Sequence, residues 1–239
     1  LHHPNIVSVY SVGTHEGMPY LALQFIEGCT VAEIVSRARS IDQSRSMDQP
    51  QRPKEGPAEE TESALSVADS TATDRLHDRQ AYIRKVVGWI AEIAAALSFA
   101  HARGVIHRDV KPSNLLIDRD GKPWITDFGL ARIEGEATMT RTGELIGTAR
   151  YMSPEQALLS EFPIDHRTDI YALGCVAFDM LTGDVPYTAD IPADAVIQHC
   201  QAPIPGVLSE RPECPEMLAA MVRRMLAKRR DVRRSQDEV

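Results

Sequence analysis

No run in this 239-residue chain is long and apolar enough to span a bilayer; the longest, Val86 to Ala100, is interrupted by Glu92. A basic excess is also missing. Lys and Arg number 26 against 34 Asp and Glu, for a net charge of −8, which argues against a nucleic-acid binder. Paired cysteines are lacking: Cys29, Cys175, Cys200 and Cys214 are widely spaced with no C-x-x-C. That excludes a disulfide framework or a cysteine metal site and suits a reducing cytosol. There is neither a signal peptide nor an initiator Met, so the chain reads as cytoplasmic, with any membrane anchor outside it. What is present, 43% hydrophobic and 25% charged residues, fits an ordinary globular protein of one large or two small domains.

Residues 6–12 and 20–26 are rich in Val, Ile, Leu, Tyr and Phe and flank Gly13 to Gly17, which predicts two strands joined by a tight connection. Gly28 is expected to end the second strand, and Val31, Ile34 and Val35 to begin a short helix. From Ser36 to Gln80 the composition turns to Ser, Gln, Glu, Asp, Arg and Pro without a helical or strand period. Such a tract buries too little apolar surface to offset its ordering entropy and is expected to be a disordered, inert surface insertion. The helical period returns at Ile83, Val86, Val87, Ile90, Ile93, Ala94 and Leu97, with Gly104 as a C-terminal stop. Leu115–Ile117 and Trp124–Thr126 read as short strands around the turn 118–121. Ile170–Leu181 and Met217–Leu226 read as helices.

The chemistry is concentrated in His107-Arg108-Asp109-Val110-Lys111-Pro112-Ser113-Asn114, followed by Asp127-Phe128-Gly129. One carboxylate, one amine and one amide lie close together, with a second carboxylate on the next strand. Phosphoryl transfer from a nucleotide to a hydroxyl needs such a set. The two stretches resemble the catalytic loop and metal-binding motif of protein kinases, and the chain resembles a eukaryotic-like, bacterial-type serine/threonine protein kinase. The resemblance implies an α+β, protein-kinase-like fold. Residues 1–27 would be a remnant of the β-rich small lobe, and 28–239 a mostly helical large lobe with 36–80 as an insertion.

The resemblance also implies roles. Asp109 would accept or orient the proton of the substrate hydroxyl, and Lys111 would contact the moving phosphoryl group. Asn114 and Asp127 would hold Mg²⁺ or Mn²⁺, hard ions that take oxygen ligands and share phosphates. His107 and Phe128 would stack in an internal column continued by Val9, with Gly129 completing the motif. Glu155, in Ser153-Pro154-Glu155 where the family has A-P-E, would pair with Arg233. Asp169 would brace the catalytic-loop backbone, and Thr148 would lie beside Asp109 and Lys111. Leu23 would gate the adenine pocket, Gln24 to Ile26 would form the hinge that bonds adenine, and Leu116 would form the floor. Thr140 and Thr142, on the segment 127–155, would be autophosphorylated in trans and anchored by Arg108.

The expected activity is ATP-dependent phosphorylation of Ser and Thr in protein substrates, with no nucleic-acid partner. No G-x-G-x-x-G, phosphate-pairing Lys or partner Glu precedes the catalytic loop, which predicts a fragment lacking most of the small lobe and transferring phosphate poorly by itself. The alternatives are a non-catalytic pseudokinase module that only binds partners and a small-molecule phosphotransferase. The first is countered by the complete loop residues, the second by the Thr-bearing segment closed by S-P-E.

Overall fold

Glu16 and Gly17 carry φ of 50° and 80°, the paired positive values of a two-residue hairpin turn, and so set where the first strands lie. In the computed structural model, which describes residues 1–47, 63–128, 149–158, 164–189 and 191–233 (backbone alone over 41–47 and 63–78), β1 (Val9–His15) pairs antiparallel with β2 (Met18–Leu23). The strands sit closer to the turn than the apolar pattern suggested. Gly13 belongs to β1 because Tyr20 stands opposite it, and a Cβ there would meet the tyrosine ring at 2.5 Å. Val9 is 57% exposed, so it does not continue the column above His107; this short ribbon has no buried face to receive it.

The residues before β1 dock elsewhere. Ile6 bridges Ile125 in parallel, with Val7 N–H donating to the Ile125 carbonyl at 3.0 Å and Ile125 N–H to that of Asn5 at 2.8 Å. Asn5 Nδ2 donates to Glu92 and to the Pro123 carbonyl, both at 2.8 Å. Gly28 does not close β2. It opens β3 (Gly28–Thr30), the edge of an antiparallel sheet ordered β3-β4-β5 with β4 at Leu115–Asp118 and β5 at Pro123–Ile125. A side chain at 28 would collide with the Ile117 carbonyl of β4, and only glycine permits that approach.

Thr30 and Glu33 form a capping box: Thr30 N–H donates to Glu33 Oε2 at 2.8 Å and Glu33 N–H to Thr30 Oγ1 at 3.2 Å. Helix α1 (Val31–Met47) starts there and runs well past Val35, and α2 spans Ser63–His101. The expectation of an unstructured 36–80 is therefore wrong for 36–47 and 63–80; residues 48–62 lie outside the described ones. Neither helical stretch contains proline or glycine, whereas Pro50, Pro53, Gly56 and Pro57 all fall between them. Tertiary contact supports α1 beyond its first turns, since Arg39 donates to Asp179 Oδ1 at 2.7 Å and to the Gly183 carbonyl.

The core gathers around α4 (Arg167–Thr182), in which every residue from Thr168 to Leu181 is buried. A helix apolar on all sides belongs in the middle of a molecule. Packed on it are α2, through Ile90, Ile93 and Leu97, and α7 (Glu216–Met225), through Val222 and Met225. Gly174 admits the crossing of α4 and α7, because a Cβ there would lie 2.7 Å from Met225 Cβ. Three shorter helices complete this part: α3 (Pro154–Ala157), α5 (Pro192–Gln201) and α6 (Val207–Glu210). Gly104 (φ 73°) stops α2 as expected, donating to the His101 carbonyl at 2.9 Å.

Candidate active site

The loop between α2 and β4 is held from beneath by one buried carboxylate. Asp169, fully buried near the start of α4, accepts from His107 N–H at 2.8 Å, Arg108 N–H at 2.7 Å and His101 Nε2 at 2.7 Å. A carboxylate removed from water needs such a set of donors. Between its gripped N–H and its carbonyl, Arg108 adopts φ 69°, a left-handed conformation costly for a non-glycine residue. The Arg108 carbonyl accepts from Gln156 Nε2 at 2.7 Å.

His107 is fixed as a neutral ring by its two partners. Nε2 faces the Thr126 carbonyl at 2.8 Å and must donate, while Nδ1 accepts from Asp109 N–H at 3.3 Å. Its ring lies 4.6 Å from that of Phe128 at an interplanar angle of 56°, a tilted contact rather than a parallel stack.

Asp109 projects from this support with its carboxylate partly exposed. Lys111 Nζ is 2.8 Å from its Oδ2. Asn114, placed by a 3-10 turn at Pro112–Asn114, donates Nδ2 to the Asp109 carbonyl at 2.8 Å and to Oδ2 at 3.1 Å. That orientation leaves Asn114 Oδ1 on the other side, near Ser113 Oγ at 3.3 Å. Thr126 N–H donates to the Asn114 carbonyl at 3.0 Å, which brings Asp127 alongside. Asp127 also has a left-handed backbone, φ 64°, and among the described residues its carboxylate meets only the Thr126 hydroxyl, at 3.4 Å. An amide oxygen that accepts only a long bond from the Ser113 hydroxyl among the described residues, together with a lightly engaged carboxylate, fits a hard divalent cation that takes oxygen ligands. Asp109, Lys111, Asn114 and Asp127 are thus brought together.

Beyond the loop, Glu155 and Arg233 form a buried bidentate pair, with Arg233 Nη1 to Oε1 at 2.6 Å and Nη2 to Oε2 at 2.8 Å. The remaining guanidinium hydrogens reach the carbonyls of Ala227, Arg167 and Lys228, so the buried cation is fully satisfied. Gly129, Thr140, Thr142 and Thr148 lie outside the described residues. Among those described, the Arg108 guanidinium makes no ion pair.

The expected adenine-binding residues are more dispersed. Leu23 ends β2 opposite Val9, and Leu116 is half-buried in β4 between Thr30 and Trp124. Gln24 N–H is committed to the Ser8 carbonyl at 2.9 Å and is unavailable to a ligand. Ile26 is half-buried, and its backbone groups make no backbone hydrogen bond among the described residues. An apolar cavity of about 460 Å³ between α2, α4 and α7, lined in part by Ile90, Ile170, Met221 and Met225, is formed by none of these groups.

Three features escaped sequence reading. Gln156 had a legible signal, the capping-box spacing Ser153-Pro154-Glu155-Gln156. His101 lies in the last turn of α2, far in sequence from Asp169. Asp179 is buried in α4, and its carboxyl is raised above the usual range by that burial although Tyr151 Oη donates to it at 2.7 Å and Arg39 at 2.7 Å. Nothing in the sequence joins those three.

Residues 58–239 match the family model described as protein kinase domain. A probable serine/threonine-protein kinase of Clostridium acetobutylicum is 31% identical over 227 residues, covering 94% of this chain and 28% of that protein. Serine/threonine-protein kinase PknB of Mycolicibacterium smegmatis is 33% identical over 240 residues, 98% of this chain and 32% of its own length. For serine/threonine-protein kinase PrkC of Bacillus subtilis the values are 30% over 231 residues, 95% and 29%. The chain spans less than a third of the length of these relatives. Among the described residues no helix is long and apolar enough to cross a membrane.

Proposed function

The chain belongs to the protein kinase family, and from that premise we propose that it transfers the γ-phosphate of ATP to Ser and Thr hydroxyls of proteins. The observation that carries this reading is the single cluster of Asp109, Lys111 and Asn114 with Asp127 beside it. Asp109 takes the proton from the substrate hydroxyl as its oxygen attacks the γ-phosphorus in line. The bond to the β–γ bridging oxygen breaks and ADP departs. Lys111, 2.8 Å from Asp109, offsets the charge gathering on the transferred group and holds the carboxylate in place. Asn114 Oδ1 and the Asp127 carboxylate would hold a divalent cation, Mg²⁺ or Mn²⁺, which supplies charge neutralisation at the nucleotide phosphates.

Leu23, Leu116 and the backbone at Gln24–Ile26 form the adenine-facing wall in this reading, with the Gln24 carbonyl and the Ile26 N–H as the polar groups. Residues 1–27 act as the small-lobe side of the nucleotide site and 28–239 as the large-lobe side. Thr140 and Thr142 are phosphorylated in trans by another copy, with Arg108 as the cation that receives the phosphates, and Thr148 is assigned to assist Asp109 and Lys111. ATP as co-substrate supports a cytoplasmic location for the domain. The test is phosphate transfer by the full-length protein from labelled ATP to itself and to a general protein substrate. Asp109→Asn is expected to lower kcat by about 10²–10⁴-fold; a variant as fast as the parent overturns the proposal.

A further inference from the structure

Gln156 bonds the catalytic loop, the cap of α3 and the first turn of α4 at once. Its Nε2 donates to the Arg108 carbonyl at 2.7 Å. Its Oε1 accepts from Ser153 N–H at 3.1 Å and from the paired hydroxyls of Ser153 and Thr168, whose oxygens lie 3.1 and 2.9 Å away. Ser153, the N-cap of α3, and Thr168, in the first turn of α4, are both fully buried, and their hydroxyls also meet each other. The direction of the amide is therefore determined. A carbonyl accepts only, so the end facing Arg108 must be the NH₂. A backbone N–H donates only, so the end facing Ser153 must be the oxygen. Among side chains of this length, neither a carboxylate nor an aliphatic group satisfies both ends.

What Gln156 holds is the residue before Asp109. Arg108 has φ 69°, and its N–H and carbonyl are gripped from two sides, by Asp169 and by Gln156. A strained peptide persists only where its surroundings over-determine it. If the carbonyl were released, only the 3.3 Å bond from Asp109 N–H to His107 Nδ1 would restrain the peptide joining Arg108 to Asp109, and its rotation would carry the Asp109 carboxylate with it.

We propose that Gln156 is a positioning residue for Asp109, fixing the Arg108–Asp109 peptide from the cap of α3 so that the carboxylate faces the substrate hydroxyl. This rests on the phosphotransfer reading above. It adds that the segment carrying Ser153-Pro154-Glu155-Gln156 acts directly on the catalytic loop through one amide, besides closing the fold through Glu155.

The experiment compares the full-length protein with its Gln156→Met and Gln156→Glu variants, measuring kcat and KM for a protein substrate between about pH 5.5 and 8.5, a span that brackets a carboxyl raised by burial. Gln156→Met removes both ends of the bridge. It is expected to lower kcat by about 10- to 100-fold at every pH with KM nearly unchanged. Gln156→Glu puts a carboxylate against the Arg108 carbonyl at high pH, but once protonated it can donate to that carbonyl and still accept from Ser153. Its kcat relative to the parent should therefore rise as the pH falls. A kcat equal to the parent's in both variants, a change confined to KM, or a Glu deficit that is flat with pH would each overturn the proposal. Amide hydrogen exchange at His107–Val110 is read in parallel and does not depend on turnover. Faster exchange in Gln156→Met is expected, and unchanged exchange would sink the proposal. A parent protein without phosphotransfer would remove the kinase reading alone, leaving the exchange result to decide whether Gln156 holds the loop.

Discussion

Arg108 and Asp127 are two of three non-glycine residues with positive φ among those described, and each stands next to or is one of the site's carboxylates. A left-handed backbone costs about 1–3 kcal/mol at such residues, a cost tolerated where it aims a group. His199 shows the opposite arrangement, a buried titratable ring with a purely structural task. Its Nε2 donates to the Arg150 carbonyl at 3.0 Å, and its Nδ1 accepts from Tyr171 Oη at 2.8 Å. Burial, reinforced by the Lys228 ammonium, depresses its pKa to about 4. The unfolded chain, with an ordinary histidine near 6.5, then binds the proton more readily than the fold does. The stability this neutral ring contributes is complete above about pH 6.5 and is lost as pH falls from there toward 4. The loss runs at about 1.4 kcal/mol per pH unit, to a total of about 3 kcal/mol. Urea unfolding across that range should show a shallower acid-side slope for His199→Gln than for the parent, whatever its stability at pH 7. Equal slopes would refute the assignment.

At the scale of elements, the Glu155–Arg233 pair ties the start of α3 to the turn after α7. Arg233→Met leaves a buried carboxylate unpaired and should cost about 3–5 kcal/mol in urea unfolding. Adding Glu155→Leu should recover much of that cost, because the double variant leaves no charge behind; additive losses would contradict the account. The motif context makes the Glu155–Arg233 pair legible in the sequence, as the apolar period does for the helices through Ile83–Leu97 and Ile170–Leu181. The stretch after Ser36 is hard to read because its polar composition masks two quieter signals. One is the Thr30/Glu33 box that starts α1, and the other is the absence of any breaker before Pro50. Arg39 secures that helix on Asp179, a partner 140 positions away that no periodicity reveals. Val9 failed for a related reason: an apolar residue in a strand is buried only if something covers its face, and that is a property of neighbours rather than of the strand.

In the whole molecule, the hairpin β1–β2 joins the rest through the docked segment Asn5–Val7 on one side and Gln24–Glu27 on the other, where Glu27 pairs with Arg119. The site residues with the firmest geometry all sit on the sheet-and-helix body formed by α2, α4 and β3-β4-β5. There the loop from His107 to Asn114 is fixed by Asp169 below and by Thr126 beside it. Of those expected to face adenine, Leu23, Gln24 and Ile26 lie at the junction with the hairpin and Leu116 lies in β4. A nucleotide bridging the two would favour the folded state by about 2.7 kcal/mol at a hundredfold excess over its Kd, raising Tm by several degrees in a chain of this size. If Asp127 and Asn114 hold the cation, ATP with Mg²⁺ should raise the Tm of the full-length protein more than ATP with chelator. Asp127→Asn should erase that difference. Asp109→Asn should keep it, since Asp109 faces the hydroxyl rather than the metal. A magnesium-dependent shift that survives Asp127→Asn would place the cation elsewhere and separate the carboxylate that follows β5 from the chemistry of the loop.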